Sequence, residues 1–419
     1  MPSKLFPVSQ DDESSNIHAY LKDLAERLAG GMGLKAAAEK KAASRRFVTD
    51  DRYILGADEE RSASIGIGDL NGDGKNDLVV ANGRHWHQQN YLFFNQGKKG
   101  TANFDDQRPL GSIESTSYAA KPVDLDGDGD LDIVVGNEYE PNRIFLNDGK
   151  GTFSESGSFG ELSTSRDLTL ADIDKDGDID ILIPCRGQPN QIALNDGSGE
   201  FPDADIRTFG TGNDKTINVA VVDWDGDQHL DLVLANRDTH PNVILLNDGK
   251  GDYSKSQQLE KSSEERDGKY QNSRAVAIAD MNGDEHLDII VGNIGLSNRI
   301  YFGDGKGGII ESQAFGPEDG KAYSLISGDI DNDGDVDLIV GNRATRRDEQ
   351  RNAVYVNQGA GKEFDVEFDV IPFGDKKHRT YGVSAADFDQ DGFLDIVVAN
   401  SEASNQVFMN TPNQAFMNI

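Results

Sequence analysis

A nine-residue aspartate-rich loop recurs seven times in this chain, beginning at Asp69, Asp124, Asp172, Asp223, Asp280, Asp329 and Asp387, at intervals of 48 to 58 residues. In the clearest copy, Asp124-Leu125-Asp126-Gly127-Asp128-Gly129-Asp130-Leu131-Asp132, acidic residues stand at alternate positions and a glycine at position 6 lets the chain curl back. Calcium is a hard cation that takes roughly six to eight oxygens, so side chains at positions 1, 3, 5 and 9 with the backbone carbonyl of position 7 nearly complete its shell. Four carboxylates within nine residues repel one another unless a cation neutralises them or water keeps them apart. The chemistry expected of these loops is structural calcium binding, with up to seven ions.

The ligand positions in chain order begin with Asp69, Asn71, Asp73, Lys75 and Asp77, then Asp124, Asp126, Asp128, Asp130 and Asp132. The third and fourth loops supply Asp172, Asp174, Asp176, Asp178 and Asp180, then Asp223, Asp225, Asp227, His229 and Asp231. The fifth has Asp280, Asn282, Asp284, His286 and Asp288, and the sixth Asp329, Asp331, Asp333, Asp335 and Asp337. Asp387, Asp389, Asp391, Phe393 and Asp395 complete the seventh. Position 7 contributes only backbone, so His229 and His286 are expected to be solvated. The first loop, with Asn71 and Lys75, and the fourth, with Gln228 at position 6, are expected to be the weakest.

The elements that position these loops read as strands. No glutamate stands at position 12, and the flanks do not repeat at helical period, which excludes an EF-hand. Short β-branched runs such as Ile133-Val134-Val135 and Ile396-Val397-Val398 follow each loop. A second run such as Arg143-Ile144-Phe145-Leu146 and an Asn-Asp-Gly turn come next, a strong hairpin signal. A four-stranded antiparallel unit of about fifty residues is the mark of a propeller blade, which predicts an all-β, seven-bladed β-propeller. After Gln406-Val407-Phe408-Met409-Asn410 a fourth strand is missing, and Phe47 to Gly56 aligns with it, so the last blade is expected to close from the N-terminal side.

At this point the chain resembles the FG-GAP or VCBS-type calcium propellers, which include the head of integrin α subunits. The Phe-Gly of that motif stands at Phe159-Gly160, Phe209-Gly210, Phe315-Gly316 and Phe373-Gly374, while the Gly-Ala-Pro half is missing. The resemblance implies the fold and the metal over roughly residues 46 to 410, and nothing specific about function. Residues 1–45 are expected to form a short helical hairpin, packed on the propeller or docking a partner subunit. Residues 411–419 are expected to be a tail.

With 74 acidic against 41 basic residues, net charge −33, nucleic acid is an improbable partner, because its binding rests on a basic surface. No stretch approaches a membrane span, and no apolar core of a signal peptide is visible near the start. Calcium modules favour an extracytoplasmic or secreted setting, which leaves the compartment open. Single Cys185 excludes an intrachain disulfide and reads as a buried thiol. Trp224, at loop position 2, reads as core.

Strand parity sets the aspartate loops and the Asn-Asp-Gly turns on one face and the remaining loops on the other. On that second face gather Arg61, Arg84, His85, Trp86, His87, Tyr118, Tyr139, Arg166, Arg186, Arg237, His240, Arg274, Tyr323, Arg343, Arg379 and Tyr381. By this assignment 12 of the 20 arginines crowd one face of a very acidic protein. Six residues before each loop stand Ala63, Tyr118, Arg166, Ile217, Arg274, Tyr323 and Tyr381, expected at the mouth of the central channel. Arginine forks match carboxylate, sulfate or phosphate, and tyrosine and Trp86 offer stacking surfaces. The first reading is a carbohydrate- or protein-binding module for an anionic ligand, an acidic glycan or a protein carboxylate. Alternatives are a polysaccharide lyase working on the same face, an architectural subunit docked through residues 1–45, or arginines that merely pair with Asp167, Asp238, Glu138 and Glu140. His85 and His87 as transition-metal ligands lack a third partner in the sequence.

Overall fold

The computed structural model describes residues 45–56, 59–201, 206–259, 272–344, 350–362, 364–375 and 377–412. Alternating short strands and glycine-bearing turns fold here into seven antiparallel sheets of neighbouring strands, the blades of a propeller. Blade 2 shows the pattern: Ser117–Val123, Asp132–Asn137, Asn142–Asn147 and Phe153–Phe159 pair in sequence order, each with the next. Its second strand is buried along its whole length, as are those of the other blades, because each is covered on both sides by neighbouring blades.

Closure follows the expected route with one difference. The last blade comprises Thr380–Ala386, Asp395–Asn400 and Asn405–Pro412, and its outer strand is supplied by Arg45–Val48. A second short piece, Ile54–Leu55, also pairs with Asn405–Pro412, and the 3-10 turn Asp51–Tyr53 lies between the two. The segment expected to be one strand is therefore broken, and two fragments share one edge. The third strand of this blade runs on to Pro412. The helices expected before residue 45, and the rest of the C-terminal tail, lie outside the described residues.

The first strands of the blades line the channel and are tied around it. Ser384 Oγ donates to the Ile65 carbonyl (2.7 Å), Thr169 Oγ1 to Val219 (2.8 Å), and the Val276 amide to Asn218 Oδ1 (2.9 Å). A second set of clips runs through the asparagine that opens each third strand. Asn90 donates to Ser117, Asn190 to Thr216, Asn242 to Ser273, Asn352 to Thr380 and Asn405 to Ser62, at 2.8–3.0 Å, so buried amides join each of these blades to its successor. Between the blades lie apolar layers, and Trp224 is 3% exposed within one of them, with Nε1 donating to the Gly307 carbonyl at 3.0 Å.

Candidate functional site

Each aspartate loop is a backbone device first. Positions 4 and 6 both take positive φ in all seven copies. Glycine is the residue that accepts this without strain, yet position 6 is Gln228 (φ 70°) in the fourth loop and Glu285 (φ 68°) in the fifth. The amide at position 6 donates to the position-1 carboxylate in every loop, including from Gln228 (3.0 Å) and Glu285 (2.8 Å). Gln228 thus does not set the fourth loop apart in geometry, and Glu285 in the fifth departs from glycine in the same way.

The aspartates at position 9 are buried, and both of their oxygens accept backbone amides. Asp132 accepts from Leu125 (3.0 Å) and Asn147 (2.8 Å), and Asp337 from Ile330 (2.8 Å) and Asn357 (2.7 Å). Burial pushes these carboxyls up, to about 6 at Asp132 and Asp180, about 7 at Asp77, Asp288 and Asp395, and about 8 at Asp337. In five loops three carboxylates converge with their oxygens within 4.8 Å of one another: Asp124/Asp126/Asp132, Asp172/Asp174/Asp180, Asp223/Asp225/Asp231, Asp329/Asp331/Asp333 and Asp387/Asp389/Asp395. In the first and fifth, asparagine holds position 3. Desolvated carboxylates with only hard oxygen donors around them suit calcium rather than a softer metal.

The opposite face holds the arginines and aromatics. A cavity of about 510 Å³ opens along the channel, and all seven residues that stand six before the loops line it: Ala63, Tyr118, Arg166, Ile217, Arg274, Tyr323 and Tyr381. This face divides into two sectors with different charge balance. Around blades 2 and 3 the cations have acidic partners. Arg166 pairs with Glu138, both nearly buried, and Lys121 with Asp167 at 3.1 Å. Glu138 also takes His85 Nδ1 at 2.6 Å, and the Tyr118 hydroxyl meets His85 Nε2 at 2.9 Å. Burial lowers the His85 pKa and raises that of Tyr118. Arg186 reaches Asp238 at 2.6 Å, and outside this sector, at the junction of blades 7 and 1, Arg61 and Arg379 share Glu402. For these residues the blade-tying role is the one observed.

Around blades 5, 6, 7 and 1 the balance differs. The guanidinium carbons of Arg84, Arg343 and Arg274 lie 3.7, 5.6 and 5.8 Å from the centre of the Tyr381 ring, and Arg274 and Arg343 also lie 4.3 and 5.3 Å from that of Tyr323. Among the described residues none of the three makes an ion pair, and the Nε of each is buried without an acceptor. Their polar contacts are neutral: Arg84 donates to Ser401 Oγ (2.9 Å) and Arg343 to the Tyr323 hydroxyl (3.1 Å). Arg237, nearby, donates to Asn272 Oδ1 (3.2 Å). Arg274 still touches channel solvent but is encircled by protein, and this desolvation draws its pKa down to about 10. Burial alone would raise the Tyr323 phenol, but Arg274 and Arg343 more than offset it and hold the group below the ordinary tyrosine value.

The remaining residues of the face sit at its rim. Trp86 is 60% exposed, with the Arg61 guanidinium 4.9 Å from its ring centre, and Tyr139 is 67% exposed. His85 and His87 do not converge on a metal: His85 goes to Glu138 and His87 to Glu140 at 2.6 Å. His240 stands in the turn closed by its amide on the Arg237 carbonyl (3.1 Å). Residues 345–349 of the long loop lie outside the described residues. Cys185 is buried, its Sγ 3.4 Å from the Ile183 carbonyl, and burial raises its thiol to about 11.

The FG-GAP-like repeat family matches residues 69–135, 124–183, 185–234, 223–291 and 280–340, and an FG-GAP repeat matches 380–411. Cartilage acidic protein 1 of Xenopus tropicalis is 26% identical over 181 residues, covering 42% of this chain and 27% of that protein. The Mus musculus protein of the same name is 27% identical over 195 residues, covering 44% and 29%. The matched region thus spans under a third of the length of these relatives. Among solved structures, BBS1N in complex with ARL6DN is similar in fold, with TM-score 0.54 and 12% identity over 86% of this chain and 97% of that one.

Proposed function

The chain belongs to the FG-GAP-like repeat family, and on that premise we propose that it is a calcium-stabilised binding module that takes an anionic ligand, an acidic glycan or a protein carboxylate, at the channel mouth. The fold itself hosts many functions, so the reading rests on the site. The observation that carries it is the arginine trio Arg84, Arg274 and Arg343, desolvated around two tyrosine rings and lacking carboxylate partners among the described residues. Partly buried cations without counter-charge destabilise a fold, and an incoming oxyanion relieves that cost. Guanidinium forks fit planar carboxylate or tetrahedral sulfate and phosphate.

Calcium in this reading sits in the aspartate loops, held by side-chain oxygens at positions 1, 3, 5 and 9. It neutralises their repulsion and rigidifies the blades, and it lies on the face away from the ligand.

The test is a calcium-replete glycan array carrying uronate and sulfated polysaccharides, probed with the wild-type chain and with Arg274→Gln and Arg343→Gln. Binding by the wild type that both variants lose supports the reading, and binding they retain moves the site elsewhere. A second reading, β-elimination from a uronate, draws on one observation: Tyr323 lies between Arg274 and Arg343, with its phenol held below its ordinary pKa, and lines the same cavity as Tyr118. A phenolate there could act as base while arginine neutralises the substrate carboxylate. Appearance of unsaturated uronate product from bound polysaccharide would promote it.

A further inference from the structure

We infer that the group seated against Arg84, Arg274 and Arg343 carries two negative charges within the span of one sugar unit, as in a sulfated uronate or a sugar phosphate, and belongs to a glycan. This rests on the anion-binding reading above and narrows it.

The charge balance of the two sectors is the first argument. Near Tyr118, Arg166 has Glu138 and Lys121 has Asp167, so that wall needs no external anion. Against Tyr381, three guanidinium groups gather within 6 Å of one ring centre with no carboxylate partner among the described residues. Beside them Arg61 and Arg379 both pair with Glu402, so the cations that do have a carboxylate lie at the edge of this cluster. The excess is local, because it arises in a protein of net charge −33.

Oxygen count is the second. A lone carboxylate has two oxygens and satisfies one guanidinium fork well, whereas three forks approaching from different blades call for more acceptors. Each Nε of the trio is buried and lacks an acceptor among the described residues, so the fold itself leaves all three guanidinium groups incompletely hydrogen-bonded. A sulfate or phosphate ester, or a carboxylate with a sulfate beside it, supplies those oxygens.

The choice of a glycan comes from the rim. Trp86 offers an exposed indole on the same face, backed by Arg61, which reaches Glu402 and so connects the rim to the arginine sector. An exposed aromatic plane beside polar groups complements the C–H face of a pyranose ring, whose edges carry hydroxyls. The phosphopeptide that a tri-arginine site can also attract has no such requirement for a flat apolar platform.

The experiment is calorimetric titration of the calcium-loaded full chain near neutral pH with four probes. These are an unsulfated uronate disaccharide, the same disaccharide bearing one sulfate, glucose 6-phosphate and a phosphoserine peptide. The sulfated disaccharide is expected to bind about tenfold more tightly than the unsulfated one, since each added charge-assisted contact contributes on that scale. Arg343→Gln, with Arg84→Gln as a second variant, is expected to erase the difference while the melting temperature stays put. Tight binding of glucose 6-phosphate with the sulfated sugar silent would keep the two-charge inference and assign phosphate as the source. Equal affinity for the two disaccharides overturns the inference and leaves the anion-binding reading standing. Binding of the phosphopeptide alone overturns the glycan, and silence with all four probes removes the anion-binding reading itself.

Discussion

The two faces of this propeller handle charge in opposite ways. On the aspartate-loop face, seven near-copies place acidic side chains against one another, and all of them keep the same φ signs at positions 4 and 6 and the same amide on the position-1 carboxylate. On the channel-mouth face the blades diverge: Arg166 is tied to Glu138, Arg274 lies against tyrosine rings, and Ala63 and Ile217 hold the equivalent position in blades 1 and 4. Repetition suits a role that every blade needs, the neutralisation of its own loop. Variation suits recognition of one ligand by one ring, since a single binding group cannot face seven identical walls. A fold that confines its repeated loops to one face leaves the other free to diverge.

The comparison breaks most readily at the metal. Chelating calcium should lower the melting temperature by well over about 10 °C, since each saturated site contributes about 2–3 kcal/mol and several are lost together. An unchanged melting curve in chelator would remove the structural role of the loops. Next in size is a contrast between two channel arginines. Arg166→Ala leaves the buried Glu138 carboxylate with His85 alone and should cost about 3–5 kcal/mol of stability in denaturant titration. Arg274→Gln removes an unneutralised cation and should leave stability unchanged or higher while abolishing ligand binding. If both arginines behave alike, the division of this face into two sectors fails.

A pH series sharpens the loop side. Six of the position-9 aspartates, all but Asp231, have folded pKa values raised by burial from 3.8 to about 6–8, so the metal-free fold binds more protons than the unfolded chain over that interval. Their contribution is present below about pH 4 and is lost as pH climbs through 6 to 8. Chelated protein should therefore melt at higher temperature near pH 5 than near pH 8. The calcium-dependent increment should run the other way, because protons compete with the ion. A calcium increment that is flat with pH would mean that these carboxylates are not ligands. Smallest is Trp86→Ala, expected to weaken glycan binding by roughly twofold to tenfold with no change in melting temperature. Full-strength binding by that variant would take the rim out of the site.

Much of this was legible before any coordinates. Loop spacing, the β-branched runs and the Asn-Asp-Gly turns carry the blade, the count of seven and the closing strand, because each is a local signal read within about ten residues. Position 6 of the loop was less legible: Glu285 sits where glycine was expected, and only its positive φ reveals that the loop imposes its conformation on whatever residue is there. Local sequence also placed the arginines on one face, since strand parity alone decides which loops share a side. It could not say which of them has a partner. Arg166 and Glu138 are 28 residues apart on adjacent blades, and Arg84 finds Ser401 across 317 residues at the closure of the ring. Arg237 has Asp238 beside it in the chain, yet that carboxylate turns to Arg186 of the preceding blade. Coulomb attraction falls with distance and with solvent exposure, so pairing is settled only when the blades stack and set both. The chain by itself determined the aspartate loops, the strands and the ring. Packing of blade against blade decided which cations gained a carboxylate partner and which, among the described residues, did not.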